Sequence, residues 1–192
     1  MNKLMTAALL ALSFSAFAKP DICTFDYAKE GSTVSWTAFK TPKKVGVTAK
    51  FSDFTITAKN AKSVEDLLAS ATFDINSQSV DSGDKARDAK IMTFFFKKML
   101  KGTKITGKVL KVEKNMADVE LNLNGTTKVV RMESKFDDAA SKLTVKGKVD
   151  VLEFGMKDNL AVLTKACFEK HEGVTWPDVD VELVAMVKKS CK

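Results

Sequence analysis

The dominant pattern in the chain is an alternation of apolar and polar residues with a period of two. Residues 32–39, for example, place Val34, Trp36 and Ala38 on one face and hydroxyl side chains between them. This alternation predicts β-strands with one buried face, which is typical of antiparallel sheets. Eight runs share the pattern: residues 32–39, 45–57, 71–77, 104–113, 116–123, 128–136, 142–151 and 179–187.

Turn residues separate several of these runs. Asn124-Gly125 is the strongest hairpin signal in the chain, because both residue types tolerate positive φ, and Lys114-Asn115 is a second hairpin candidate. The alternation slips near Asp53-Phe54, which indicates a bulge or bend.

Eight antiparallel strands of this length can close into a barrel, which removes exposed edges. We therefore predict an all-β fold, an eight-stranded antiparallel lipocalin-like barrel with short helices in the connections.

Three segments break the alternation and predict the helices. Ser63 has the character of an N-cap before Leu67 and Leu68. Residues 83–99 read as a short helix followed by an aromatic turn, and residues 158–171 have apolar residues at helical spacing before Gly173.

The N-terminal segment has the order of a secretory signal. Lys3 precedes an apolar core, and Ala16-Phe17-Ala18 forms a small-x-small cleavage site. We expect residues 1–18 to be a cleaved signal peptide and residues 19–192 to form a single domain in the periplasm. No second apolar run reaches about 18 residues, the length of a membrane span.

The cysteines and the one histidine limit the chemistry available. Cys23, Cys167 and Cys191 would all enter an oxidising compartment, where Cys191 is expected to pair with Cys23 or Cys167. His171 lies four residues after Cys167, but without an orienting third group a structural role is favoured over catalysis. A single His and three Cys exclude most zinc-finger and iron–sulfur sites, and we expect no metal or cofactor.

Net charge gives a weaker indication of partners. The formal net charge is +7, which suits an anionic partner, but no basic block stands out. We therefore expect no nucleic-acid partner.

A barrel of eight strands is filled by side chains or holds one small ligand. Eleven Phe and six Met follow residue 18, and such side chains can line an apolar tunnel or fill a dry core. Three consecutive rings, Phe94 to Phe96, cannot share one face of a regular element. At least one of them must cover a barrel end or lie in a ligand path.

The chain resembles the YceI-like family of polyisoprenoid-binding, lipocalin-like periplasmic proteins. The resemblance extends over residues 32–187. The landmarks that carry it are Val34-Ser35-Trp36, the pattern from Gly46 through Phe51 to Phe54, Phe73-Asp74-Ile75, Ser79-Val80-Asp81-Ser82, Arg87-Asp88 with Phe94 to Phe96, residues 121–128 and Phe154-Gly155-Met156. The chain departs from the family in having Phe39-Lys40 where a His is frequent, and in lacking Tyr-Pro in the aromatic turn.

The resemblance implies a tunnel that holds a long isoprenoid or fatty-acyl chain, such as a quinone, prenyl phosphate, fatty acid or amide, for storage or transport. The predicted lining residues are Trp36, Phe51, Phe73, Arg87, Phe94, Leu121, Met132 and Phe154. Arg87 has two interpretations: it contacts a polar or phosphate head, or with Asp88 it ties a loop to the barrel. Lys97, Lys98, Lys101 and Lys104 suggest transient contact with a membrane surface, or are simply solvated. The oligomeric state, including a homodimer, stays open.

Two alternatives to a lipid carrier remain at this stage. The first is a barrel enzyme acting on lipid-like substrates, for which Glu153 and Asp74 are the candidate carboxylates. The second is a packed barrel that acts through its outer surface. We expect a binding protein rather than an enzyme.

Overall fold

The structure, a computed structural model, describes residues 22–192, so the predicted signal peptide lies outside the described residues. Ten strands form one antiparallel sheet in the order β3-β4-β6-β7-β8-β9-β10-β1-β2-β5. The strands are β1 (Cys23–Lys40), β2 (Val45–Phe51), β3 (Phe54–Thr57), β4 (Thr72–Asn76), β5 (Val80–Asp81), β6 (Lys104–Glu113), β7 (Met116–Leu123), β8 (Thr126–Asp137), β9 (Lys142–Asp150) and β10 (Thr175–Cys191).

The sheet curls until its two ends meet. β3 lies at one end of the strand order, yet it follows β2, near the other end, after only Ser52 and Asp53. Backbone hydrogen bonds continue across this bend, from Ser52 N to Ser79 O at 2.9 Å and from Asn76 N to Asp53 O at 3.0 Å. The inward-facing side chains of the strands therefore surround a common interior.

The structure confirms the all-β antiparallel prediction but not the count of eight strands. The predicted run 45–57 is divided into β2 and β3 at the point where the alternation slips. β5 is only two residues long, which is too short to produce a periodic pattern. Bending of the sheet, rather than an additional hairpin, accounts for the larger count.

Both predicted hairpin turns are present. Asn124 and Gly125 join β7 to β8 with φ values of 56° and 77°, as a two-residue turn with positive φ at both positions requires. Lys114, with φ of 55°, begins the turn between β6 and β7. These turns set the register of the meander from β6 to β8.

The helices lie in the connections, as predicted. They are α1 (Val64–Ala69), α2 (Lys85–Phe94), α3 (Lys157–Ala166) and α4 (Phe168–His171), with 3₁₀ turns at Phe96–Lys98 and Val151–Phe154. Ser63 caps α1 by accepting a hydrogen bond from Asp66 N at 3.0 Å. None of the helices within residues 22–192 has the length and apolar character needed to cross a membrane.

β1 and β10 extend beyond the rest of the sheet and are joined by a disulfide. Residues 23–28 pair with residues 186–191, which places Cys23 directly opposite Cys191, and these two residues form the bond. Cys167 is the free cysteine of the described chain. Of the two pairings expected for Cys191, the structure therefore has the one with Cys23.

Two apolar clusters lie at the two ends of the interior. At the disulfide-bonded end, Leu67 and Leu68 of α1 pack with buried strand residues such as Ala117 and Val187. At the opposite end, the aromatic turn and α3 pack over a second cluster that includes Phe96 and Leu163. We call this opposite end, which carries α2, α3 and α4, the helical end.

Candidate functional site

An apolar cavity of about 450 Å³ lies inside the curled sheet. Pockets that hold small organic ligands have volumes of about 300–1,000 Å³ and mostly apolar walls. The wall contains inward-facing residues of β1, β6, β7, β9 and β10, and its floor includes Leu68 of α1. The cavity opens toward the helical end.

Exposure along β10 shows where the interior is hollow. Val181, Leu183, Ala185 and Val187 alternate on one face of this strand. Ala185 and Val187 are only 4% and 3% exposed, whereas Val181 and Leu183 are partly exposed although they face inward. Both lie on the cavity wall, so their accessible surface faces the cavity. The same strand therefore packs a dry core at one end and encloses a hollow at the other.

Glycines allow two side chains to lie flat against the wall. A Cβ on Gly107 would clash with Phe73 Cζ and with the Glu120 carbonyl oxygen. A Cβ on Gly147 would lie 2.7 Å from Met132 Cγ. A larger residue at either position would push a side chain toward the cavity, so these glycines preserve its width.

A connected set of rings leads from the wall to the helical end. The ring centroids of Trp36 and Phe51 are 6.4 Å apart, those of Phe51 and Phe96 are 5.8 Å apart, and those of Phe96 and Phe95 are 5.1 Å apart. Tilted and edge-to-face contacts at these distances stabilise aromatic clusters. All four residues line the cavity.

Six of the eight residues predicted for the site lie on the cavity wall: Trp36, Phe51, Phe73, Arg87, Leu121 and Met132. These six residues are therefore placed on the wall, whereas their contact with a ligand stays a prediction.

The structure does not place Phe94 and Phe154 on that wall. Phe94 is the last residue of α2, and the chain then turns so that Phe95 and Phe96 face the cavity instead. Phe154 is 1% exposed within the core, because β9 ends at Asp150 and the following 3₁₀ turn changes the direction of the side chains. Asn124 Nδ2 donates to the Phe154 carbonyl at 3.1 Å.

The helices contribute wall residues that were not assigned to the site. Ile91 of α2 and Leu160 and Leu163 of α3 line the cavity, as do Cys167 and Trp176. The helical spacing of Leu160, Leu163 and Cys167 is visible in the sequence. What it does not show is that this face covers the opening of the sheet.

Arg87 and Asp88 fix the loop that precedes α2. Arg87 donates from Nε to Ser82 Oγ at 2.8 Å and from a terminal nitrogen to the Ser82 carbonyl at 2.9 Å. Asp88, 2% exposed, accepts from the Ser82 backbone N at 2.9 Å and from its hydroxyl at 2.5 Å. This pair therefore ties the loop to α2, which is one of the two interpretations of Arg87. Arg87 also lines the cavity, so its contact with a polar or phosphate head group stays a prediction.

The opening of the cavity carries a histidine with an altered pKa. Burial lowers the pKa of His171, and the positive charges of Lys40 and Lys90 lower it further. His171 Nδ1 lies 2.6 Å from Thr175 Oγ1, which links α4 to β10. The imidazole is therefore held neutral at pH 7 within a hydrogen-bonded contact.

The two carboxylates considered from the sequence for an enzyme lie outside the cavity wall. Asp74 forms an exposed ion pair with Lys104 at 2.7 Å, and Glu153 is exposed on a 3₁₀ turn. Within residues 22–192, no three His, Cys, Asp or Glu side chains are grouped as a metal site.

The fold is similar to two solved structures. One is a polyisoprenoid binding domain from Saccharophagus degradans implicated in plant cell wall breakdown, with 14% identity, a TM-score of 0.62, and coverage of 88% of this chain and 99% of that chain. The other is BcnA from Burkholderia cenocepacia, with 15% identity, a TM-score of 0.56, and coverage of 85% and 99%. No curated protein sequence matches the chain.

The sequence profile of the YceI-like domain matches residues 25–185. This range contains most of the sheet and all four helices, including the cavity described above. The chain therefore belongs to the YceI-like family.

Proposed function

We propose that the protein binds one long isoprenoid or fatty-acyl chain in this cavity and stores or transports it. The observation that supports this proposal is that inward-facing residues such as Val181 and Trp36 retain solvent-accessible surface around an apolar cavity. The similarity to a structure described as a polyisoprenoid binding domain supports the same ligand class.

Burial of the hydrocarbon chain is sufficient to bind such a ligand without a covalent bond to the protein. Each buried methylene contributes about 0.8 kcal/mol, so burying a chain of ~20 carbons contributes roughly 16 kcal/mol of favourable free energy before the costs of association. Association costs an estimated 4–15 kcal/mol in lost freedom. The balance favours reversible binding, as a carrier requires.

We propose that this carrier acts in the periplasm after export. The order of charge, apolar core and cleavage site in residues 1–18 supports export. The disulfide between Cys23 and Cys191 supports an oxidising compartment.

A carrier also explains the site better than an enzyme does. Cys167 and His171 both line the cavity opening, but the His171 ring nitrogen Nδ1 is engaged by Thr175 rather than by an orienting carboxylate. Neither Asp74 nor Glu153 lines the cavity. We therefore assign these groups no catalytic step.

Replacing Trp36 with Ala tests the proposed site. We expect the affinity for a fluorescent fatty acid to fall by about tenfold, roughly 1.4 kcal/mol, because the indole provides apolar wall surface. The matched control is Phe168→Ala, since Phe168 is 63% exposed and lies outside the wall. Equal affinity of the Trp36→Ala variant and the parent, with both folded by circular dichroism, would remove Trp36 from the site.

We further propose transient contact with a membrane at the helical end. Leu100 is 80% exposed and lies among the exposed residues Lys97, Lys98 and Lys101. None of these lysines forms an ion pair within residues 22–192. An apolar side chain surrounded by cations suits the surface of an anionic bilayer.

Leu100→Glu is expected to lower binding to vesicles of phosphatidylglycerol and phosphatidylcholine by about tenfold in a sedimentation assay. Leu110→Glu is the control, because Leu110 is also exposed, at 47%, but lies on β6. If both variants sediment like the parent, the proposed membrane contact is wrong.

A further inference from the structure

The opening of the cavity differs in charge from its interior. The interior wall is apolar, whereas the opening is lined by Lys40, Arg87, Lys90 and Lys170 together with one carboxylate, Asp84. Glu182 also borders the cavity, but its carboxylate forms an ion pair with Lys146 at 3.1 Å. We call the four cationic residues the basic rim.

The basic rim is assembled from three separate elements. Lys40 is the last residue of β1, on the same face as Trp36 and Ala38, so the inward-facing row of this strand ends in an ammonium group. Arg87 and Lys90 lie three residues apart on α2, which places them on one face of that helix. Lys170 belongs to α4.

The charges of the rim act on a common region. The pKa of His171, which also lines the opening, is lowered by the nearby charges of both Lys40 and Lys90. Since Lys40 and Lys90 lie on different elements, their positive fields overlap at His171. His171 itself is neutral at pH 7 and adds no charge.

The basic rim has little compensating negative charge. Lys40, Lys90 and Lys170 form no ion pair within residues 22–192. The Asp84 carboxylate accepts hydrogen bonds from the backbone N of Arg87 and Ala86, and these bonds, together with the positive charge of Arg87, hold its pKa below its ordinary value. Four cations and one carboxylate therefore surround the opening, and charges of one sign around a cleft attract ligands of the opposite sign.

Arg87 is held in place for such a contact. Its Nε and one terminal nitrogen are fixed by Ser82, so the guanidinium cannot swing freely into solvent. A guanidinium has five N–H donors, and planar geometry suits carboxylate and phosphate oxygens. The donors that Ser82 does not engage belong to a side chain that lines the cavity.

We infer that the ligand of this cavity is an acidic amphiphile, whose carboxylate or phosphate head is bound by the basic rim while its hydrocarbon chain lies inside. The inference rests on the proposed function, since it specifies the head group of the proposed lipid. It distinguishes a long-chain acid from an alcohol or ester of the same chain length.

The test compares oleic acid with oleyl alcohol, which share the hydrocarbon chain but differ in head charge. We expect the parent to bind oleic acid at least about tenfold more tightly at low salt, with the difference shrinking as ionic strength rises. The double variant Lys90→Glu with Lys170→Glu should lose this preference, measured as the ratio of the two affinities within the variant. The control is Lys135→Glu with Lys188→Glu, an equal charge change at exposed lysines away from the cavity.

The outcomes separate the two proposals. Equal affinities for acid and alcohol in the parent, or an unchanged preference in the rim variant, would overturn the acidic head group and leave lipid binding intact. Failure of both ligands to bind would overturn both proposals. Inorganic phosphate alone, at concentrations well above those of oleic acid, should not displace the bound acid; displacement would show that the rim binds free anions rather than an amphiphile.

Discussion

Val181→Trp is expected to abolish lipid binding while leaving the protein folded. Val181 lies opposite Trp36 in the register of β1 and β10, and both residues face the cavity. An indole at this position would occupy part of the cavity of roughly 450 Å³ in which the hydrocarbon chain is proposed to lie. We expect the affinity for a fluorescent fatty acid to fall at least about 100-fold, or roughly 2.7 kcal/mol.

The fold should tolerate this change because the new ring enters space that packing does not fill. The matched control is Val129→Trp on β8, where the parent side chain is 59% exposed and lies outside the cavity wall. This control should bind like the parent. If Val181→Trp folds and binds the fatty acid with unchanged affinity, the ligand does not occupy the cavity.

Removing the disulfide should produce the largest loss of stability. Cys23 and Cys191 are 168 residues apart in sequence, so their bond closes almost the whole described chain into one loop. The chain-entropy account gives about 5 kcal/mol for a loop of this size. We expect the double variant Cys23→Ser with Cys191→Ser to lose this much free energy of unfolding, measured by urea denaturation.

We expect the cavity to remain intact when the disulfide is removed, because the bond lies at the opposite end of the sheet from the cavity opening. It joins the far ends of β1 and β10, beside the hydrogen bonds between Ile22 and Lys192 at 3.0 and 3.1 Å. Cys167→Ser is the control and should change the free energy of unfolding by less than about 1 kcal/mol, because Cys167 forms no disulfide. A double variant as stable as the parent would contradict the assigned role of the bond.

The fold was largely predictable because alternation and turn chemistry are local properties. Asn124-Gly125 forms the expected turn, and Ser63 caps the expected helix. The first part of β1 was missed because exposed residues 29–31 interrupt the alternation before the strand continues. Phe25 and Tyr27 belong to a strand through their pairing with β10, and Phe25 also pairs with Ala61; these are long-range contacts.

The candidate site was less predictable, because a cavity and a core use the same apolar residues. Val181 and Val187 occupy equivalent positions in the alternation of one strand, yet only Val181 lines the hollow. Phe154 follows β9 with the same apolar character as Val151, but only Val151 lines the cavity. Val187 packs in the cluster that contains the α1 residues, and Phe154 packs in the cluster at the helical end, so contacts between residues distant in sequence decide these differences.

The basic rim was even less predictable from the sequence than the apolar wall. Lys40, Lys90 and Lys170 are spread over 131 positions of the sequence and form no visible basic block. They meet only because the end of β1 and the helices α2 and α4 lie at the same end of the sheet.

The most direct test is the mass of the intact protein under native conditions, after purification without detergent. We expect the parent to carry one additional mass, solvent extraction to identify it as a single long-chain lipid, and Val181→Trp to lack it. A parent protein that has only the mass of its polypeptide, and that also excludes added fatty acid, would show that the cavity does not bind a lipid.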